Sequence, residues 1–347
     1  MATIKDIADA AGVSVATVSR ALAKPELVRG RTLDKINAVV ERLEYTPNAM
    51  ASSLRRKRSD TFLLVVPNLH NPFYAGVIEG VEHVAHGQGK RVLIGETRDL
   101  SERLNSYCEM LLTKQADGLI LIGELDCDLL QIEAVRSRVV MACEYSRECT
   151  LPRVRIDNRT AAYEVVAYLL ALGHRRIAAI TGPLDNALGR ERLEGYVDAL
   201  REWGLTPEPA MIRHGDYTLQ CGVQQMQRLL SLHNRPSAVF CANDEMAIGA
   251  LQALANTGMR VPQDCSVIGF DDIRFAPYAS PALTTVAQPT AAMGEAAMDL
   301  MFKRLDGAGP QDIEIIVPHD MVVRSSSGPP AIAGLTVPAG NSVENEL

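Results

Sequence analysis

The stretch TIKDIADAAGVSVATVSRAL, residues 3–22, decides how the chain begins. Ile4, Ile7, Ala8 and Ala11 recur at helical spacing and share one face of a helix that must stop at Gly12. Thr3 with Asp6 makes a short-armed capping box at its start, Asp being shorter than the usual Glu. Ser14 then caps a second helix, from about Val15 to Leu22, with Val18, Ala21 and Leu22 as its buried face. A third helix, from about Thr32 to Leu43, carries Ile36, Val39, Val40 and Leu43. Three short helices with a glycine turn between the first two form a helix-turn-helix unit. In that motif the second helix lies in the major groove of DNA and its first residues meet base edges. Val15, Ala16 and Thr17 take those places here, and Arg20, one turn on, can offer two donors to guanine or hold a phosphate. Ser14, Thr17 and Ser19 suit phosphates, as do Asn48 and the cations Arg55 to Arg58, and Thr3 belongs to the same expected DNA-binding set. On the pattern alone a structural three-helix bundle with incidental polar residues competes with this reading.

Charge separates the head from the rest of the chain. The 347-residue chain has a net charge of −7. Residues 1–60 nevertheless hold 11 Lys/Arg against 7 Asp/Glu, a net of +4, and the remainder carries −11. A basic head on an acidic body suits a polyanion partner for the head only. Hydrophobic residues make up 47% and aromatics only 5%, so a large core must be built from aliphatics and alanine. No run approaches the roughly 18 apolar residues of a membrane helix, and MATIKDIADA lacks the apolar stretch of a signal peptide. Seven scattered cysteines without a CxxC pair fit reduced thiols and a cytoplasmic location.

Beyond residue 60, short apolar runs alternate with segments of 3.6 periodicity. The runs are DTFLLVVPN, RVLIGE, GLILIG, RVVMAC, VRIDN, RIAAITG, SAVFCAND, SVIGFDD and LTTVAQP. Such alternation means parallel sheet covered on both faces. The strand count is large for one sheet, so two doubly wound α/β lobes with a cleft between them are expected. KRLDGAGPQDIEIIVPHDMVVRSSS supplies two more strands, and the Pro, Gly and Ala-rich tail from Gly328 is expected to be disordered. The implied division is a helix-turn-helix domain over 1–46, a hinge and basic linker over 47–59, a two-lobed body over 60–327, and a tail over 328–347.

ATIKDIADAAGVSVATVSRAL followed by YTPNAMASSL resembles the head of the LacI/GalR family of bacterial transcription repressors. The resemblance continues through NPFYAGVIEGVE, ADGLIL, IDN, GHRRIAAITGP, RLEGY, PSAVFCANDEMAIGAL, VPQDCSVIGFDD and PALTTVAQP, covering roughly residues 2–326. Within the family, VLIGETRDL and LLTKQADGLILIG look most like its nucleoside- and purine-responsive members. The resemblance implies a periplasmic-binding-protein-like body, a homodimer on a palindromic operator, and a small effector in the cleft that controls operator affinity. It assigns Asn48 to Leu54, with Ala51 and Arg55, to a hinge helix whose Leu54 wedges between base pairs from the minor groove. Independently of that likeness, a seven-residue helix is unstable alone and needs a partner and a groove to bury Met50 and Leu54.

The resemblance also places Arg192, Asn243 and Asp271 where family members grip sugar hydroxyls, and Phe73, Tyr74 and Tyr217 where rings face the ligand. Planar bidentate groups suit polyhydroxy ligands. Where the purine-responsive repressor has a base-reading arginine this chain has Asn186, which favours a nucleoside or pentose over a purine base; another sugar or a sugar acid is the alternative effector. Asp157 in IDN is expected to support the region between the lobes. The tail lacks the leucine heptads of a tetramer, so a dimer is expected. A solute-binding protein would need an export signal. An enzyme would need chemistry the motifs do not offer: no GxGxxG, no GxxxxGK[ST] and no metal-spaced His/Cys cluster is present, so no catalytic residue, metal or cofactor is assigned.

Overall fold

The capping box expected at Thr3 is formed: the Thr3 amide donates to Asp6 Oδ2 at 2.8 Å, and the Asp6 amide donates to Thr3 Oγ1 at 3.3 Å. These bonds from Thr3 hold the Asp6 carboxyl below the usual carboxylate range. Helix α1, Ile4–Ala11, ends at Gly12, whose φ of 67° is the left-handed conformation that glycine takes without strain. The Val13 amide bonds back to Ala8 O at 3.0 Å, completing the turn. Helix α2, Val15–Ala23, starts at Ser14, and α3 is Gly30–Arg42. Ile7, Ala8, Ala11, Val18, Ala21, Ile36 and Val39 form the head's core, with Leu22 and Val40 packed at its edge. Leu43 is a correction: it lies past the end of α3 and is 37% exposed.

This computed structural model describes residues 2–45, 58–123, 127–145, 150–307 and 314–330. It divides into two units, residues 1–60 and 61–347. The expected hinge and its residues Asn48, Met50, Ala51, Leu54 and Arg55 lie outside the described residues, as does the tail from residue 331.

The body is built on two parallel sheets. The first contains β1 (Thr61–Val66), β2 (Arg91–Glu96), β3 (Gly118–Leu121), β4 (Val139–Ala142), β5 (Arg153–Arg155) and β11 (Glu314–Ile316), in the order β2-β1-β3-β4-β5-β11. The second contains β6 (Ile177–Thr181), β7 (Ile212–His214), β8 (Ala238–Cys241) and β9 (Ser266–Ile268), in the order β7-β6-β8-β9. Both are wound alike, with the second strand outside the first and the third on the other side, so each has a switch point where helices diverge. β10 (Thr285–Ala287) and β12 (Asp320–Val322) form a separate antiparallel pair. Each apolar run found in the sequence became a strand. β7 was not foreseen, because Ile-Arg-His is a three-residue, partly exposed edge strand with no apolar run to announce it. Strands β1, β3, β4, β6, β8 and β9 are buried along their whole length, as parallel strands covered on both faces must be.

Helices α4 (Phe73–Gly87), α5 (Ser101–Leu112) and α6 (Glu133–Arg136) connect the strands of the first sheet. Helices α7 (Asn158–Ala171), α8 (Ala187–Glu202), α9 (Leu219–Leu230) and α10 (Asp244–Asn256) serve the second, and α11 (Thr290–Leu305) returns to the first, where it lies against α4. A Cβ at Gly80 of α4 would sit 2.0 Å from Ala291 O, and one at Gly294 of α11 would sit 2.3 Å from Val77 O. The two helices are in backbone contact that only these glycines permit. Gly328, expected in a disordered tail, is tied down: its carbonyl accepts from Ser266 Oγ at 3.0 Å and from His174 Nε2 at 2.9 Å. Because a carbonyl only accepts, Nε2 carries the proton of this buried histidine.

Candidate functional site

Seven loops or helix starts, each following the C-terminal end of a strand, converge on one cavity. Asn71, Phe73 and Tyr74 follow β1, and Cys143 and Glu144 follow β4. Leu188 and Arg192 follow β6, Tyr217 follows β7, Asn243 follows β8, Asp271 follows β9, and Gln288 follows β10. Ligands of open α/β sheets collect at this end of the strands. The cavity encloses about 370 Å³ including its mouth, within the size range of small-molecule sites.

On the second sheet's wall the polar groups are already bonded to one another. Arg192 is 4% exposed and Asp271 7%, so the pair is a desolvated one and not a surface ion pair. Arg192 Nε donates to Asn158 Oδ1 at 2.9 Å and Nη1 to Ala242 O at 2.5 Å, while Nη1 stands 3.8 Å from Asp271 Oδ1. The guanidinium lies over the Phe270 ring, 3.8 Å from its centroid. Gln288 Nε2 donates to Asp271 Oδ1 at 2.7 Å, which leaves the Gln288 carbonyl as an acceptor. Burial pushes the Asp271 carboxyl up to about 7, against the opposing pull of Arg192 and Gln288. Among the described residues Arg192 Nη2 makes no hydrogen bond, so it is a free donor on this wall.

Asn243 holds the wall together. Its Oδ1 caps α10 by accepting from the Met246 amide at 3.0 Å, and its Nδ2 donates to Tyr217 O at 2.9 Å. That second bond helps fix Tyr217 at a φ of 65°. Cys143 and Asp271 also line the cavity with positive φ, 63° and 121°. Three non-glycine residues held in this region around one cavity are strain concentrated at a site. Burial raises the Tyr217 phenol well above its ordinary range, and its hydroxyl is enclosed.

The first sheet's wall is aromatic and acidic. The Phe73 and Tyr74 rings meet edge to face, 5.5 Å between centroids. Tyr74 donates its hydroxyl to Glu144 Oε1 at 2.7 Å, and burial followed by the nearby Glu144 charge holds the Tyr74 phenol well above its usual range.

Of the seven effector residues expected from the sequence, Phe73, Tyr74, Arg192, Tyr217, Asn243 and Asp271 line the cavity. Asn186 does not belong to the lining: it caps α8, accepting from the Gly189 amide at 2.8 Å. Asp157 likewise caps α7 through the Thr160 amide at 3.1 Å. Glu144, Gln288, Asn71 and Cys143 were not anticipated. Gln288 and Glu144 both lie within two residues of a strand's C-terminal end, and that position was the available signal. Among the described residues no group of His, Cys, Asp and Glu could hold a metal ion, and no helix is long and apolar enough to cross a membrane.

In the head, Ser14 Oγ accepts from the Thr17 amide at 3.1 Å and lies 2.8 Å from Thr17 Oγ1, so the two hydroxyls engage each other. Ser14, Val15, Ala16 and Arg20 are exposed, and Thr17 and Ser19 half-buried. Thr3, exposed, has its side chain committed to the α1 cap.

Residues 3–48 match the model for bacterial regulatory proteins of the lacI family, and residues 166–327 match a periplasmic binding protein-like domain. The chain is 39% identical over 328 residues to the HTH-type transcriptional repressor CytR of Escherichia coli (strain K12), covering 94% of this chain and 96% of that protein. It is 37% identical over 310 residues to the HTH-type transcriptional repressor PurR of Vibrio atlanticus (strain LGP32), covering 88% and 92%. Among solved structures, the lac repressor dimer bound to operator and an anti-inducer superposes with a TM-score of 0.84 at 28% identity, over 94% of this chain and 99% of that one. The chain belongs to the lacI family of bacterial regulatory proteins.

Proposed function

We propose that this chain is a cytoplasmic, homodimeric repressor whose affinity for a palindromic operator is set by a neutral polyhydroxy effector, a nucleoside or a pentose. The observation that carries the reading is the buried Arg192–Asp271–Gln288 network, which opens onto a cavity in a chain with a helix-turn-helix head. Asp271 accepts from adjacent ligand hydroxyls while Arg192 Nη2 donates to one of them. The rings of Phe73, Tyr74 and Tyr217 cover the remainder of the ligand. A sugar acid fits less well, because its carboxylate would enter beside Glu144 and Asp271, where Arg192 is the guanidinium that lines the cavity among the described residues. Ligand and operator binding are coupled reciprocally, by about 1–3 kcal/mol.

In the head, Val15, Ala16, Thr17 and Arg20 meet base edges, and Thr3, Ser14 and Ser19 meet phosphates with Asn48 and Arg55. Ala51 and Leu54 belong to the hinge that bends the operator at its centre. Fluorescence polarisation with the DNA upstream of the chain's own gene, with and without ribose and nucleosides, tests the whole reading. Tight, salt-dependent binding that one of these compounds shifts is the expected result. Replacing Leu54 by alanine should weaken specific binding by about 2–3 kcal/mol, by loss of an apolar wedge, and leave non-specific binding nearly unchanged. Operator binding that ignores every neutral polyol but responds to an anionic sugar would overturn the effector assignment.

A further inference from the structure

Behind the wall that carries Asp271 lies a second carboxyl group, fully enclosed. Asp244 is 0% exposed, is not part of the cavity lining, and follows the cap Asn243 at the start of α10. Its Oδ2 accepts from the Ile273 amide at 2.8 Å, and its Oδ1 lies 2.5 Å from Thr285 Oγ1. Ile273 is two residues past Asp271, and Thr285 is three residues before Gln288. Between those points the same two segments are joined again, where the Asp271 amide donates to Val286 O at 2.8 Å. The carboxyl thus clasps the segment of Asp271 and Asp272, with φ of 121° and 55°, to the strand that leads into Gln288. Gly269 leaves room for it: a Cβ there would stand 2.1 Å from Asp244 Oδ1.

A buried carboxylate is costly unless a cation compensates it. Arg192 stands beside Asp271, and Arg324 pairs with Asp272 at 2.7 Å, but among the described residues no cation bridges Asp244. Burial first, then the charges of Asp271 and Asp272, hold the Asp244 carboxyl well above its usual range. The Cys241 thiol on β8, which also feels this group, is kept protonated by burial. An un-ionised carboxyl is fully bonded here too. Thr285 Oγ1 lies 3.4 Å from Val286 O, so its hydroxyl can donate there while accepting an Oδ1–H from Asp244. We infer that Asp244 is a positioning residue of the effector site, held as an un-ionised carboxylic acid that donates to Thr285 and accepts from the Ile273 amide. This rests on the cavity being the effector site. Of the two carboxyls, the one beside Arg192 and Gln288 takes the charge that ligand hydroxyls need, and the other keeps its proton. Asp244 meets no ligand atom and acts through where Asp271 and Gln288 stand.

Asp244→Asn is the decisive variant, since an amide can donate to Thr285 and accept from the Ile273 amide in the same places. Infrared difference spectra of the full-length wild type against Asp244→Asn, taken at about pH 8, read the proton directly. The carbonyl stretch of an un-ionised carboxyl should be present in the wild type and missing from the variant; every other acid is common to both and cancels. Calorimetry with ribose, cytidine and adenosine between about pH 6 and pH 8 reads the positioning role. Asp244→Asn should bind within about threefold of wild type with the midpoint of its pH profile unmoved, because no charge has been taken from behind Asp271. Asp244→Ala unfastens the two segments and should bind at least about tenfold more weakly. Thr285→Val, isosteric but without the hydroxyl, should act in the same direction, which guards against a folding defect in the alanine variant. A missing difference band, or a pH midpoint lowered by about one unit in Asp244→Asn, shows an ionised Asp244 and overturns the inference. Binding within about twofold of wild type in Thr285→Val overturns the positioning role. Both results leave the effector reading standing. Failure of ribose and of both nucleosides to bind the wild type overturns that reading and the positioning role together, whatever the infrared result.

Discussion

On α2, Val15, Ala16 and Arg20 stand in solvent, whereas in the body Arg192, Asn243 and Asp271 are each less than a tenth exposed. Among the described residues the exposed side chains have no partner to lose. In the buried set each side chain already bonds another part of the protein: Arg192 to Asn158, Asn243 to Tyr217, and Asp271 to Gln288. The contrast follows from what each surface meets. DNA keeps much of its water at a protein interface and attracts the head over a distance. A small ligand must be enclosed, and groups that are to hold it without water must be oriented and compensated beforehand. Changes in the head should therefore alter one interaction, and changes in the cavity should leave neighbouring groups orphaned.

The largest test of this contrast is Asp271→Ala. It removes a ligand contact and also strands Arg192 and Gln288, so effector affinity should fall by about 2–4 kcal/mol. Calorimetry with the cognate nucleoside or pentose reads it; affinity within twofold of wild type would place the ligand elsewhere. Exchanging Val15 and Ala16 should redirect operator preference by about 1–3 kcal/mol per base pair without moving effector affinity or the body's melting temperature. Selection from a randomised operator library measures the first, and a changed effector affinity would break the separation of the two surfaces.

The cavity should also respond to pH where the head does not. With its carboxyl raised to about 7, Asp271 gains a proton as pH falls through that value. Ligand hydroxyls need the ionised form as acceptor, so the bound state lowers this pKa and affinity must decline on acidification. The expected loss is about tenfold per pH unit below 7, with a plateau above about pH 8, and Asp271→Asn should flatten the profile. A wild-type profile that is level from pH 6 to 8 would show that the ligand does not require this carboxylate ionised. The smallest effect belongs to the head: Ser14→Ala removes the α2 cap and should lower head stability by about 1 kcal/mol, read by thermal melting of the helical signal.

What could be read in the sequence depended on how local its cause was. The head's helices were legible because Thr3, Gly12 and Ser14 act on residues three or four positions away. The body's buried strands were legible because parallel pairing requires unbroken apolar runs. β7 had no such run, and its identity as a strand comes from Ile180 and its neighbours on β6. In the cavity, Arg192 and Asp271 were found through family motifs. Glu144 lay in an unremarked loop, and nothing in MACEY indicates that Tyr74, 70 positions earlier, directs a hydroxyl at it. Asn186, proposed from its alignment, sits three residues before Gly189 at a helix start and uses its Oδ1 as a cap, as Asn243 does for α10. The positive φ values of Cys143, Tyr217 and Asp271 had no sequence signal, since glycine is absent from all three positions.

The first sheet is closed by the last part of the chain. Arg153 and Arg155 of β5 both reach Glu314 of β11, across 161 and 159 positions, and Gly80 of α4 waits for Ala291 of α11. At about 5–20 residues per second on the ribosome, roughly 8–30 s separate synthesis of β5 from arrival of its neighbour. Throughout that interval the β5 edge has unpaired backbone groups and the glycine face of α4 is bare. A nonsense codon ahead of position 290 would therefore damage the first sheet, although β1 to β5 had been translated long before. The nascent protein is most in need of a holding chaperone while its own C-terminal segments are still in the ribosome.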